Sequence, residues 1–366
     1  MGSFSTIYRL MKLHYFVIRI EGSIMSKKRK KRQIKTIEKK CSYLSQDFFP
    51  SNIAVDASMF YPMLVVGTMS SGKSTLINAL LGQQILPSQN EACTSKMYSI
   101  LDDDTDMNPK LYITNKDGVT IEKKNDLEKE LAAANKDEYV KDIFIQGHVN
   151  GILNTDRALL IVDTPGPNNS QDLSHKMMME KTLEKVRGGL ILYIINATQL
   201  ATKDDKRVLD TIKSYMLCHN KTKLLFVVNK VDQIDEEKES IEEIMTITKE
   251  YLQSNGFEKP EIIPVSARAA SILKKILNKE SITRTEFRIF ESAYDLYQPH
   301  GFCLNSFVIS DELPNQFEYI EVEGQKYKIS NLMRTLENTG IRLLENTIQK
   351  AQILSSGQLQ YNIKIQ

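Results

Sequence analysis

The sequence predicts an α/β fold in which helices cover both faces of a mostly parallel, doubly wound sheet. Two observations predict it. Short apolar runs, each long enough for a buried strand, alternate with segments whose apolar residues recur every three to four positions. Polar and glycine-containing motifs follow several of these runs directly, and open parallel sheets bind ligands beside the carboxyl ends of their strands. With 366 residues, 41% of them hydrophobic, the chain has enough apolar material for one large domain with helical additions.

Charge and cysteine usage exclude several classes of protein. A net charge of +2 gives no strong overall field towards nucleic acid, although residues 27–40 are basic. The four cysteines lie far apart without C-x-x-C spacing. This spacing indicates a reducing compartment, with neither a disulfide framework nor a zinc site.

The first fifty residues divide into two predicted segments. Residues 1–25 are interpreted as a poorly ordered or artefactual extension, since either Met1 or Met25 could be the start. The apolar piece at 15–20 is too short for a membrane-spanning helix, which needs about 20 apolar residues. Residues 26–50 are predicted to form a basic amphipathic helix. Its apolar seam steps by three and four through Ile34, Ile37, Cys41, Leu44 and Phe48.

The first chemical motif follows a predicted strand at 63–66 and precedes a predicted helix at 75–81. Residues 67–74 fit the spacing G-x-x-x-x-G-K-[ST]. Backbone N–H groups of such a turn, with the positive end of the following helix, cradle polyphosphate oxygens. Lys73 is expected to bridge the terminal phosphates, and the Ser74 hydroxyl to coordinate Mg²⁺. The candidate nucleotide-binding residues here are Gly67, Ser70, Ser71, Gly72, Lys73, Ser74 and Thr75.

A second motif ends the most apolar predicted strand, at 158–162. Asp163-Thr164-Pro165-Gly166 follows it directly. A carboxylate there is suited to the magnesium ion or its water shell, and Gly166 can offer its N–H to a terminal phosphate. Between the two motifs the sequence predicts strands at 96–101, 111–114 and 143–149 and a charged surface helix within 123–142.

The third motif, Asn229-Lys230-Val231-Asp232, follows a predicted strand at 223–228. Asp232 is expected to accept two N–H donors from guanine, while Asn229 and the Lys230 stem hold the loop and cover the ring. Adenine presents the opposite donor pattern and would leave the carboxylate unpaired, so guanine is favoured. Other elements predicted in this half are helices at 173–186, 204–217 and 237–252 and strands at 189–195 and 261–265.

The fourth motif, Ser266-Ala267-Arg268, is expected to present a backbone N–H to the guanine oxygen. Beyond it the sequence predicts a helix at 286–296, a hairpin at 317–329 and a final helix with the seam Ile341, Leu344, Ile348 and Ala351. This seam is expected to pack against that of the first helix as a partial helical bundle. The predicted domains are therefore 51–280 for the core and 281–366 for a carboxyl-terminal helical segment.

The four motifs, in this order, resemble the P-loop GTPase superfamily. More narrowly, the chain resembles the head region of bacterial dynamin-like GTPases, over roughly residues 55–275. The segments that carry the closer likeness are residues 70–82, 85–87, 93–94, 163–167 and 196–200.

This resemblance implies a GTPase that converts GTP to GDP and phosphate with Mg²⁺. Thr94 would be the first-switch threonine and would share the metal with Ser74 and Asp163. Pro167 occupies the position of the water-orienting glutamine of Ras-like enzymes. In dynamins the phosphate loop and first switch fill that role when two heads meet, which assigns catalysis to Ser70, Lys73 and Thr94.

The resemblance also implies partners and a location. It implies a nucleotide-dependent homodimer, a stalk-bearing protein partner, and a cytoplasmic chain with peripheral membrane contact by family analogy alone. Met69 stands where typical eukaryotic dynamins have glutamine, so cation dependence stays open. An alternative is a nucleotide-dependent interaction module with little hydrolysis. A ribosome-assembly GTPase ranks lower, since no RNA-binding signature follows Ala270 and nucleic acid is not an expected partner.

Overall fold

The structure is a computed structural model of the whole chain. It describes residues 43–50, 56–87, 96–105, 109–123, 126–164, 173–219, 221–234, 240–297, 304 and 318–355. These residues belong to one compact unit that begins at Tyr43. The predicted extension at 1–25 and most of the predicted basic helix lie outside the described residues.

A nine-stranded sheet forms the centre of the described chain, in the order β11-β10-β9-β2-β7-β3-β6-β4-β5. Strands β11, β10, β9, β2 and β7 are parallel, whereas β3 runs antiparallel to β7 and parallel to β6. The last two strands on one side, β4 and the edge strand β5, add antiparallel pairs. The bounds are β2 Phe60–Gly67, β3 Met97–Asp102, β4 Lys110–Asn115, β5 Thr120–Lys123, β6 Val140–Gly147, β7 Ala158–Asp163, β9 Gly189–Asn196, β10 Thr222–Asn229 and β11 Ile262–Val265.

Both faces of this sheet are covered, as the continuous apolar runs predict. Every residue of β9 is buried. Side chains alternate between two cores: Val65 and Leu192 contribute to one, and Leu64 and Tyr193 to the other. A strand buried on both faces needs apolar residues at successive positions, which explains the lack of alternation in the sequence.

Helices connect most of the strands and cover the sheet. The mixed α/β fold with a large, mostly parallel sheet confirms the predicted fold class. The helices are α1 Lys73–Leu81, α2 Leu127–Lys136, α3 Leu173–Glu184, α4 Lys203–Cys218, α5 Ile241–Ser254, α6 Ala267–Leu277, α7 Arg284–Leu296, α8 Ile329–Asn338 and α9 Ile341–Ser355.

The carboxyl-terminal elements pack directly onto the core. A hairpin of β12 Tyr319–Val322 and β13 Gln325–Lys328 leads into α8. The α9 seam residues Ile341, Leu344 and Ile348 are buried in the same core as Met63 and Leu76. The last helix therefore completes one face of the central sheet.

The amino-terminal helix prediction is wrong at its described end. Strand β1, Tyr43–Leu44, pairs antiparallel with β8, Val186–Arg187, and a 3₁₀ turn follows at Gln46–Phe48. Leu44 and Phe48 are both buried and lie four positions apart, which is also the spacing of buried residues on one face of a helix. They lie in the core that contains Leu64, on the opposite face from the α9 seam, so these residues do not form the predicted bundle with α9.

Candidate nucleotide-binding site

The loop between β2 and α1 has a backbone that depends on glycine. Gly72 caps α1 with a φ of +88°, and a Cβ there would lie 2.3 Å from Asn229 Nδ2. At Gly67 a Cβ would meet the Ile194 carbonyl oxygen at 2.7 Å. Ser70 also has a positive φ, +61°, which is uncommon for a residue with a side chain. The loop therefore needs residues without a side chain at two positions next to the start of a helix, where backbone N–H groups bind anions.

Two buried charged residues at this loop, Lys73 and Asp163, shift each other's pKa values. Lys73 Nζ donates to the carbonyl oxygens of Gly67, at 3.0 Å, and Thr68, at 3.2 Å. Burial lowers the pKa of Lys73, and the charge of Asp163 partly opposes that shift. Burial raises the pKa of Asp163 to about 6, against the opposing effect of Lys73.

Two buried oxygen atoms at the loop lack a hydrogen-bond partner among the described residues. They are Asp163 Oδ1 and Ser71 Oγ. Buried polar atoms normally have partners, because each unpaired one costs about 1–3 kcal/mol. Both atoms suit a bound polar ligand, and a carboxylate oxygen at this position suits a hydrated divalent cation. The fit to the predicted magnesium site therefore rests on Asp163, with Ser74 in the first turn of α1.

Asn229 connects the phosphate loop to the Ser266-Ala267-Arg268 segment. Its Nδ2 donates to the Ser71 carbonyl oxygen at 2.9 Å, and its Oδ1 accepts from the Ala267 N–H at 3.2 Å. The side chain is buried, so both bonds are shielded from water. One amide group thus fixes the spacing between two loops that are far apart in sequence.

Asn196 makes a second contact of the same kind. It ends β9, and its Nδ2 donates to the Ser70 carbonyl oxygen at 3.4 Å. Its Oδ1 accepts from the N–H and hydroxyl of Thr198 at 3.0 and 2.9 Å. Asn196 lies in a segment that resembles dynamin-like GTPases, but the sequence alone indicated no role for it. Its position at the carboxyl end of the strand beside β2 was the available signal.

Asp232 and Ser266 are in direct contact. The Ser266 hydroxyl donates to Asp232 Oδ1 at 2.7 Å. Lys230 precedes Asp232 with a φ of +66°, and burial lowers its pKa more strongly than Asp232 raises it. The half-buried Asp232 is therefore oriented by a neighbouring motif, and the Lys230 stem lies beside Gly72, with Cε 3.8 Å from the position of a Cβ there.

The structure brings most of the predicted residues to one edge of the sheet. The phosphate loop follows β2, Asp163 ends β7, Asn229 ends β10, and Ser266 follows β11. Thr75 and Arg268 lie in the first turns of α1 and α6. Thr94 and Gly166 lie outside the described residues, so their predicted roles stay predictions.

The sequence model of the dynamin family matches residues 63–231. This span includes the phosphate loop, Asp163 and the first three residues of the motif that begins at Asn229. The matched segment is similar to the dynamin family. Together with the motif order, this similarity indicates a guanine-nucleotide-binding domain of the P-loop type.

Proteins similar to this chain include a bacterial dynamin-like protein and the GTPase Era. Dynamin-like protein 1 of Campylobacter jejuni is 24% identical over 277 residues, which cover 63% of this chain and 36% of that protein. GTPase Era of Trichlorobacter lovleyi is 25% identical over 207 residues, 56% of this chain and 59% of Era. A solved oligomerised bacterial dynamin pair is 21% identical, with a TM-score of 0.44, over 79% of this chain and 44% of that one.

The chain spans about a third of the length of the Campylobacter relative. Across the described residues, no helix is long and apolar enough to cross a lipid bilayer.

The carboxyl-terminal segment contacts the backbone at Ser266, in the fourth motif of the site. The Ser266 N–H donates to the Thr339 carbonyl oxygen at 2.9 Å. Gly340 has a φ of +80°, and a Cβ there would lie 2.1 Å from the Pro264 carbonyl oxygen. The turn between α8 and α9 therefore packs against the backbone that leads to Ser266, a contact that the sequence analysis did not predict.

Proposed function

We propose that this chain binds GTP with Mg²⁺ and hydrolyses it to GDP and phosphate as the head of a dynamin-like GTPase. The observation that carries the proposal is the Asn229 amide, which joins Ser71 of the phosphate loop to Ala267 of the guanine end. The spacing between a phosphate site and a base site is thereby set by one buried side chain.

Phosphate binding is assigned to the phosphate loop and Lys73. The backbone N–H groups and the α1 amino terminus favour anionic oxygens. Lys73 lies on the same loop and supplies a positive charge to the terminal phosphates. Ser74 and Asp163 would hold Mg²⁺, with Thr94 as a further proposed ligand and Gly166 as a proposed contact to the γ-phosphate. An ion held there would supply positive charge to offset the charge that develops on the transferred phosphoryl group.

Guanine selection is assigned to Asp232. The Ser266 hydroxyl occupies one side of Asp232 Oδ1 and orients the carboxylate. Two N–H donors of guanine satisfy that carboxylate, whereas adenine leaves it without donors. Hydrogen bonds to a charged group contribute about 1.5–3 kcal/mol each, which favours GTP over ATP by at least tenfold.

Self-association is proposed as the source of rapid turnover. The proposal rests on the likeness to dynamins, in which two heads meet across the nucleotide and complete the phosphate loop and first switch. Ser70, with its left-handed backbone, and Thr94 are the proposed catalytic residues beside Lys73. A stalk-bearing partner and peripheral membrane contact are proposals from the same likeness.

The test is nucleotide hydrolysis at one protein concentration with Mg²⁺. We expect GTP to be hydrolysed, excess ATP not to compete, and Lys73→Ala to abolish turnover. Asp232→Asn should reduce the preference for GTP over ATP at least tenfold, since it removes one anionic acceptor. Asp210→Asn, an exposed position on α4, is the matched control and should leave the preference unchanged.

Two results would overturn the assignment. Equal hydrolysis of ATP and GTP would show that Asp232 does not select guanine. Tight GTP binding with turnover no higher than that of Lys73→Ala would instead identify a nucleotide-dependent interaction module.

A further inference from the structure

Asp102, Asp104 and His148 form a cluster at the sheet edge opposite the phosphate loop. Asp102 ends β3, and its register partner Gly147 ends the parallel neighbour β6. Because β3 runs antiparallel to β7, its carboxyl end lies beside the start of β7 rather than beside Asp163. This cluster is therefore separate from the nucleotide site.

The three side chains are close enough to share one ion. Their ligand atoms all lie within 4.8 Å of one another. His148 Nδ1 is 3.4 Å from Asp104 Oδ1 and 3.8 Å from Asp102 Oδ1. A tetrahedral ion with ligands at about 2.1 Å separates those ligands by roughly 3.4 Å. The His148–Asp104 pair already has this spacing, and rotation of the side chains would bring the set, now within 4.8 Å, to the same separation.

A second observation independently indicates a ligand. Asp102 is 1% exposed, and its Oδ2 has no hydrogen-bond partner among the described residues. A carboxylate at this depth normally has both oxygens paired or coordinates a metal ion.

The backbone around the cluster holds the two carboxylates in place. Asp102 Oδ1 accepts from the Val149 N–H at 2.8 Å, which leaves Oδ2 available. Asp104 Oδ2 accepts from the Asn154 N–H at 3.0 Å, and Asn154 Nδ2 donates to the Asp102 carbonyl oxygen at 3.1 Å. Such outer contacts orient ligands before an ion arrives and thereby reduce the entropic cost of binding.

We propose that Asp102, Asp104 and His148 bind one divalent transition-metal ion, with Zn²⁺ the best match to the donor set. Two carboxylate oxygens and one imidazole nitrogen suit Zn²⁺, while Mg²⁺ and Ca²⁺ prefer oxygen ligands alone. Three protein ligands leave a position for water. The ion would join the β3 and β6 ends and stabilise that edge of the sheet. The proposal uses no cysteine and does not depend on GTP hydrolysis.

The test is calorimetric titration of the nucleotide-free full chain with Zn²⁺ in excess Mg²⁺, alongside His148→Gln and Asp104→Asn. We expect wild type to bind one more equivalent than His148→Gln, or to bind that equivalent at least about tenfold more tightly. Zn²⁺ should also raise the melting temperature of wild type more than that of either variant, because an ion that binds the folded state stabilises it.

The exposed thiol of Cys218 with its neighbour His219 offers an alternative zinc contact. The double variant Cys218→Ser/His219→Gln should keep the equivalent that His148→Gln loses. Equal stoichiometry and affinity in wild type, His148→Gln and Asp104→Asn would overturn the proposal and leave a plain ion pair between His148 and the carboxylates. The side chains of His148 and Asp104 are both partly exposed, at 26% and 17%, so either variant keeps the test decisive if the other does not fold.

Discussion

Lys274 Nζ lies 2.5 Å from Glu345 Oε1, and both side chains are almost fully buried, at 2% and 1% exposure. This ion pair joins α6 to α9. Arg342 Nη1 contacts the other carboxylate oxygen at 2.9 Å, and Lys274 also donates to the Asn150 carbonyl oxygen at 3.2 Å. The carboxyl-terminal helix is thus attached to α6 by a paired and hydrogen-bonded charge as well as to the core by apolar contacts.

Removal of one partner of this pair should be more costly than removal of both. Glu345→Leu leaves the Lys274 charge buried, and we expect a loss of about 3 kcal/mol in the free energy of unfolding. Lys274→Met/Glu345→Leu should lose less, because the fully buried charge is removed and Arg342, which also contacts Glu345, is 31% exposed to water. Chemical denaturation at neutral pH measures both variants and Lys274→Met. Additive losses would contradict the coupling between the two residues.

The turn at Gly340 should tolerate no side chain. Gly340 and Gly324 have nearly equal φ values, +80° and +81°, but a Cβ at Gly324 meets no atom within 4 Å. Gly324→Ala should therefore cost about 1 kcal/mol from backbone conformation alone. Gly340→Ala adds the contact with Pro264 and should cost at least about 2 kcal/mol more. Thermal unfolding compares the pair, and equal losses would disprove the role of this close approach.

Asn229 should contribute more to nucleotide affinity than Asn196. In Asn229→Asp the acceptor for Ala267 remains, but a carboxylate oxygen replaces the donor to Ser71. We expect GTP affinity to fall at least tenfold, since a buried hydrogen bond becomes a repulsive contact. Asn196→Asp makes the same chemical change against a longer bond of 3.4 Å and should have a smaller effect. Titration with a fluorescent GTP analogue measures both; a larger loss for Asn196→Asp would contradict this ranking.

Glu286 should make part of the stability dependent on acidic pH. Burial opposes ionisation of Glu286, but hydrogen bonds from Lys275, at 2.8 Å, and Thr283 outweigh it and lower its pKa from 4.5. The folded state binds a proton at Glu286 more weakly than the unfolded state does. The ionised carboxylate therefore contributes fully to the free energy of unfolding above about pH 4.5, and this contribution is lost as pH falls through the pKa of the folded state.

The variant Glu286→Gln tests this dependence. It keeps an acceptor for the α7 cap and removes the charge, so the free energy of unfolding should become less sensitive to pH below about 4.5. Glu243→Gln is the matched control, since Glu243 makes the same capping box in α5 without an ion pair among the described residues. An identical pH dependence in wild type and Glu286→Gln would contradict the assignment.

The position of the motifs at the ends of strands could be predicted because each motif depends on local sequence. The phosphate-loop spacing fixes a turn at a helix start, and the strands before Asp163 and Asn229 are recognisable by their continuous apolar residues. Long-range pairs had no such signal: Lys274 and Glu345 are 71 positions apart. Helices α6 and α8 were not predicted, since the first begins within the Ser266-Ala267-Arg268 motif and the second directly follows the hairpin.

The amino-terminal error has a physical cause of a different kind. A step of four between Leu44 and Phe48 satisfies a helical pattern, yet the same two burials arise from a short strand followed by a 3₁₀ turn. Partners on β8 and in the core decide between these conformations, and periodicity alone does not reveal them.

GTP hydrolysis per molecule, measured over a wide range of protein concentration with Mg²⁺ and with Lys73→Ala as the blank, tests the proposed function most directly. The proposal of a self-activating head predicts that specific activity rises with concentration, by up to about a thousandfold as judged from GTPases that receive a catalytic group in trans. Specific activity that stays flat at the level of the blank, while GTP still binds, would contradict it.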